Sequence, residues 1–228
     1  MIKNNSLKYI LLSFTFLFVS ESFSFSIKRY SLQYMIEASN YIVKGKIIYI
    51  EDVDSIRRKQ LRTKSMDMFP NSIGCGYCSK QASFVVSKVL KGEMLVDTIR
   101  INYGVNPIFL LKDFHENEEY ILFLDKFEEI DSYYTTKPRS GSKSMHLDEY
   151  ERLVDAYLSL KSKKDKRNWI IDLCINPKLS YEGTLSLEYS TASDFSKEEQ
   201  EKLRKGLESF SIDTYGYNEL AEIVAEFP

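Results

Sequence analysis

The sequence predicts an α+β protein: a small five-stranded antiparallel β-barrel followed by an α-helical domain of four to five short helices. Two observations carry this. Between residues 41 and 136, short runs rich in β-branched and aromatic residues alternate apolar with polar and are separated by turn residues, the pattern of half-buried strands. After the turn-rich stretch Pro138-Arg139-Ser140-Gly141-Ser142 the apolar residues recur every three or four positions instead, the period of amphipathic helices.

The first residues bear on compartment. Lys3 and Lys8 precede Tyr9 to Val19, an apolar run of eleven, and a small, polar stretch from Ser20 to Ser26 follows. That order is the layout of a secretory signal peptide, with cleavage options after Ser24 and Ser26. Crossing a bilayer takes about 20 apolar residues, so the run is too short for a comfortable span. The organisation expected is therefore a signal peptide over 1–26, a barrel over 27–138 and a helical domain over 139–228. The protein is expected to be exported, to the periplasm, cell surface or extracellular space, and not to span a membrane once the signal is removed.

Composition narrows the function classes. Of 228 residues 28% are charged, and 16 Tyr and 14 Phe supply bulk for a core, so the chain is globular rather than disordered. The net charge is −2, and −3 after residues 1–26 are lost with two lysines and one glutamate, which argues against a general nucleic-acid binder. Three cysteines are too few to build a disulfide scaffold.

Taken in order, Leu32, Met35, Ile36 and Ser39 have helical spacing, with Ser31 as cap. Tyr41 to Ile50 reads as a strand bent or closely approached at Gly45. Residues 51–81, an unusually long connection, carry Arg57, Arg58, Lys59, Arg62 and Lys64 and then Pro70, Gly74 and Gly76. Strands resume at Ala82 to Leu90, Asp97 to Tyr103, Glu119 to Leu124 (nearly continuous, so buried on both faces) and Ser132 to Thr136. The first long helix carries Leu147, Tyr150, Leu153, Val154, Tyr157 and Leu158, with Asp148 and Glu149 in its first turn and Lys161 to Lys164 near its end, placements that suit the helix dipole. Trp169, Ile170, Leu173 and Cys174 mark a second helix. Pro177 opens a third, with Leu179, Gly183 and Leu187 on its inner face. Ser196 to Glu199 is a capping box for a fourth, bearing Leu203, Leu207 and Phe210, and Asn218 caps a last helix with Leu220, Ile223, Val224 and Phe227.

A helix followed by EASNYIVKGKIIYIED, then SFVVSKVLKGE, then EEYILFL resembles the netrin-module and tissue-inhibitor-of-metalloproteinase-like OB-fold over about residues 30–136. The resemblance implies an OB-like barrel. Inhibitors of that family grip a protease metal through an N-terminal cysteine, whereas the start expected here, near Phe25 or Ile27, has none. Direct zinc chelation is thus not implied, and regulation of a protease through loops alone is the form of that activity left open.

Few residues offer chemistry. Cys75-Gly76-Tyr77-Cys78 reads first as a local disulfide; a thiol-redox pair or half of a metal site is the alternative, and would make the chain a thiol-redox or metal-linked accessory protein. The loop lacks the helix start that activates a redox thiol, and zinc would need two further ligands from Cys174, His115 and His146 at unrelated spacings. His115 reads as a solvated loop residue and His146 as a surface one. Basic clusters at 57–64 and at Lys161 to Arg167 suit an acidic partner or membrane headgroups, or else are solvated loop and helix-end charge. No catalytic residue, metal site or cofactor is expected. The function expected is an exported non-catalytic binding or interaction module for a protein or surface partner, with Arg57, Arg58, Lys59, Arg62 and Lys64 as its candidate interaction loop.

Overall fold

The computed structural model describes residues 29–54, 59, 79–103, 114–127, 132–136 and 141–228. The expected leader, Arg57, Arg58, Arg62, Lys64, Cys75 and Cys78 lie outside the described residues; Lys59 lies within them and is exposed. Helix α1 spans Leu32–Ala38, and the Ser31 hydroxyl accepts the Tyr34 N–H at 3.2 Å as the cap its type favours. Strands β1 (Tyr41–Asp52), β2 (Lys80–Lys91), β3 (Thr98–Tyr103), β4 (Glu119–Phe127) and β5 (Ser132–Thr135) follow. Both ends of the long connection are shorter than expected, because β1 runs on to Asp52 and β2 starts at Lys80 and the two pair through Asp52 and Lys80.

The five strands close into an OB-like barrel in the order β1–β2–β3–β5–β4, with β4 returning to β1. The barrel is mixed, not purely antiparallel: β3 and β5 run parallel, with Ile101 opposite Tyr133, and the other neighbours are antiparallel. The correction is one of geometry. Strand directions can alternate all the way round a ring only if the strand number is even, so a closed ring of five must contain a parallel pair. A sixth strand, β6 (Ser142–Lys143), adds to the β4 edge beside Ile121 and Leu122. Two residues carry no period, and the sequence reading missed it.

β1 is shared between both halves of the ring, pairing with β2 on one side and β4 on the other. Register shifts interrupt its β2 pairing between Ile42 and Val43, Lys44 and Gly45, and Ile47 and Tyr49. Bulges of this kind bend and coil a strand, which lets one strand serve two sheet directions. Gly45 permits the tightest approach: a Cβ built there would stand 2.0 Å from the Val85 carbonyl oxygen.

Alternation sorts the barrel residues into two cores. Val43, Ile47, Phe84, Ile101, Leu122 and Leu124 point inward and are buried in the barrel. Ile42, Ile121 and Phe123 point outward, yet are equally buried, because helices cover that wall. Tyr120 to Leu124 is accordingly buried throughout, as a strand covered on both faces should be.

The covering layer consists of α1 with α2 (Leu147–Ser159), α3 (Lys163–Cys174), α4 (Ser180–Leu187), a 3₁₀ turn (Ala192–Asp194), α5 (Lys197–Glu208) and α6 (Tyr217–Ala225). Leu32, Met35 and Ile36 share a continuous apolar core with Trp169, Leu203 and Leu220. Ser196 and Glu199 form the expected capping box on α5. Three local expectations fail. Pro177 stands in the turn before α4, whose cap is Leu179. Asn218 lies inside α6, capped by Gly216 in a left-handed conformation that packs against the backbone of Tyr181. Lys163 and Lys164 open α3 rather than close α2, which ends at Ser159.

Candidate interaction face of the barrel

Helices occupy the β1–β4 wall, so the β2–β3 wall is where the barrel presents strands outward. On β3 the inward residues are Ile99, Ile101 and Tyr103, which leaves Thr98, Arg100 and Asn102 on the other face. Their cross-strand neighbours on β2 are Val85, Ser83 and Gln81. At one end of this face Thr98 and Arg100 are exposed, and Ser83 and Val85 are half-buried.

At the other end the outward residues are buried and joined. The Gln81 side-chain N–H donates to Asn102 Oδ1 at 2.8 Å, and the Asn102 amide donates to Ser132 Oγ at 2.6 Å. This ladder ties β2, β3 and β5 across the one parallel pairing. Buried amides are costly unless bonded, and a bonded network fixes relative strand position better than apolar contact does.

The turn from β2 to β3 completes the face. Gly92 adopts φ 84°, and the chain then passes through Leu95, fully exposed at 100%, and Val96 at 52%. The Val86 N–H to Asp97 carbonyl bond of 2.8 Å closes the turn's base. At the tip of this hairpin Leu95 gains nothing from the fold itself, and about half of the Val96 side chain stays exposed. Val89 on β2, at 37% exposure, adds a third apolar side chain on the same hairpin.

The hairpin is held to the helical layer by its lysines. Lys91 Nζ donates to the carbonyl oxygens of Ile36 at 2.7 Å, Glu37 at 3.3 Å and Ser39 at 2.6 Å, a cation on the negative end of α1. Burial lowers the Lys91 pKa. Lys88 bonds Glu151 at 2.7 Å and Asp155 at 3.2 Å, while Lys44 bonds Glu151 at 2.7 Å and Asp148 at 2.8 Å. Hydrogen bonds from Lys44 and Lys88 hold the Glu151 carboxyl below its usual range. A second polar joint links β6 to α4: Glu182 accepts from Lys143 and, at 3.0 Å, from the Tyr150 hydroxyl. Burial first, and Glu182 second, push the Tyr150 phenol up.

Residues singled out from the sequence are scattered. His115 is exposed ahead of β4, and His146 is exposed at the left-handed cap of α2. Cys174 is a buried free thiol packed against Gly183, and burial pushes it up to about 12. Such a thiol is inert at neutral pH. Among the described residues, no group of three or more His, Cys, Asp or Glu could hold a metal ion, and no helix is long and apolar enough to cross a membrane. Sequence reasoning missed Leu95 and Val96, although an apolar triplet (Met94-Leu95-Val96) between two expected strands was a readable signal. It also missed Gln81 and Asn102, whose burial depends on which strands meet. No protein-family model matches the chain, and no curated protein is similar to it in sequence.

Proposed function

We propose that this is an exported, non-catalytic binding module that engages a protein partner through the β2–β3 wall and its turn. The observation that carries the reading is the fully exposed Leu95 beside Val96 on a hairpin anchored through Lys88 and Lys91. Apolar side chains on a rigid, anchored support are what binding hot spots require, since little ordering entropy remains to be lost on association. OB-type barrels commonly bind along this wall and its flanking loops. The netrin-like and inhibitor-like character read from the sequence belongs to this proposal, with the basic segment around Lys59 as a further contact. Export rests on the leader-like residues 1–26.

Site-specific photocrosslinking in the producing cell tests it. A crosslinker at Leu95 or at Thr98 should give one discrete adduct of the same size, and Val96→Asp should remove it. Crosslinkers at Asp172 and Glu222 on the helical layer should not give that adduct. Equal adducts at all four positions, or none at Leu95 and Thr98, would refute the assignment.

A further inference from the structure

We propose that the turn from α2 to α3 is a docking site for an anionic membrane surface, carried by Lys161, Lys163, Lys164 and Leu158. The turn belongs to the helical layer, one helical turn beyond the Asp155 that bonds Lys88 of the hairpin, and it involves none of the residues assigned to the barrel wall. Three observations converge on it.

The first is position. Lys163 and Lys164 are the first two residues of α3, and Lys161 immediately precedes its cap, Ser162. The positive end of a helix dipole disfavours cations. Asp165 is the sole acid in that first turn, and it is engaged by the Ser162 hydroxyl at 2.6 Å. The lysines are thus placed against local stability.

The second is pairing. Lys44 and Lys88 pair with acids of α2, Lys166 with Glu37, Arg167 with Glu199 and Lys202 with Asp172. Lys161, Lys163 and Lys164 are exposed, and among the described residues no acidic group pairs with them. Lys178 and Lys197 are exposed too and have no acidic partner among the described residues, but each stands singly. On a chain of net charge −2 the three adjacent lysines form a local concentration of positive charge, not part of a basic surface.

The third is the apolar neighbour. Leu158, one of the apolar residues read on this helix and placed in the last turn of α2, is 41% exposed. An exposed leucine beside unpaired lysines suits an interface that offers phosphate groups and hydrocarbon together. An acidic polysaccharide would use the charges and leave the leucine idle.

Each lysine near an anionic bilayer is worth roughly fivefold in partition, so three predict a preference of anionic over neutral vesicles on the order of a hundredfold at low salt. That is a reversible attachment, weakened as salt screens it. Vesicle sedimentation of the full chain reads it, comparing neutral phosphatidylcholine with vesicles containing 30% phosphatidylglycerol, about the share that makes a surface strongly anionic. All variants share Lys3, Lys8 and the apolar residues 9–19, so comparison between variants isolates the contribution of the turn.

The triple variant Lys161→Gln, Lys163→Gln, Lys164→Gln should abolish the preference. The triple Arg variant should restore it, and Lys178→Gln, Lys197→Gln, Lys205→Gln, with the same net charge as the first, should leave it nearly intact. Leu158→Ser should lower binding to anionic vesicles severalfold at unchanged charge. The proposal is overturned if wild type shows no preference, if the two Gln triples behave alike, or if Leu158→Ser has no effect. Binding to soluble polyglutamate without binding to vesicles would reassign the patch to an acidic macromolecule and overturn it as well.

Discussion

Glu182 gives one carboxylate oxygen to both Lys143 and Tyr150, while its other oxygen is buried with no hydrogen-bond partner among the described residues. Side-chain exposures of 15% for Lys143 and 11% for Glu182 make this a largely desolvated pair. Removing one partner from such a pair leaves an uncompensated charge, which costs about 3–5 kcal/mol, whereas replacing both with apolar residues can be nearly neutral. Lys143→Met should therefore lower stability by about that amount, and adding Glu182→Leu should recover most of it. Urea denaturation of wild type, both single variants and the double variant measures the coupling. Losses that simply add would show that the two side chains act separately.

At the level of elements, Gly45 is the position where a strand depends on one side chain's absence. Gly45→Ala would bring a methyl group against the Val85 carbonyl and the Phe84 ring, whose nearest atom lies 2.7 Å from the added Cβ. Overpacking of this kind costs about 1–3 kcal/mol, and here part of the obstacle is backbone, which cannot rotate away. Thermal unfolding should show the loss, and an unchanged midpoint would mean the hairpin is less tightly coiled than it stands. Gly45 was legible in the sequence as a bend because a glycine inside an apolar strand has few other uses. The strands and helices themselves were legible for the same kind of reason, since burial on one face imposes a period. Caps were less so. Whether Asn218 or Gly216 begins α6 is decided by how closely that corner meets Tyr181, a contact between distant parts of the chain. Lys163 and Lys164 were read at the end of α2 although they open α3, because charge carries no period and the break at Leu160 is a change of backbone direction only. Of the candidate face, the exposed turn was visible in Met94 to Val96, but the Gln81–Asn102–Ser132 ladder was not, because it exists only once β2, β3 and β5 are neighbours.

Across the whole molecule the barrel wall and the helices share one core. Ile42, Ile121 and Phe123 are completely buried under Met35, Val154 and Trp169 and their neighbours. A chain ending at residue 138 would lose the helical cover, together with β6 and the Gly141 carbonyl that accepts the Phe123 N–H at 3.0 Å. That fragment should bind a hydrophobic dye and lose cooperative unfolding. In the full chain the fluorescence of the single tryptophan, Trp169 in the helical layer, should fall in the same transition as the far-ultraviolet signal of the strands. Two separated transitions would show that the shared wall does not couple the parts.

Closure of the ring at β1 and β4 also governs when the molecule can exist at all. Tyr41 meets Leu124, and Leu32 shares its core with Phe227, so the contacts that complete the structure join positions far apart along the chain. Contacts of long sequence separation form slowly, because loop-closure entropy is lost before they are made. During synthesis the β1–β2 pairing can form first, but the wall that carries Ile42 lacks the cover of Val154 and Trp169 until those residues have emerged. The nascent chain therefore passes through an interval with apolar strand surface uncovered, in which a chaperone can hold it.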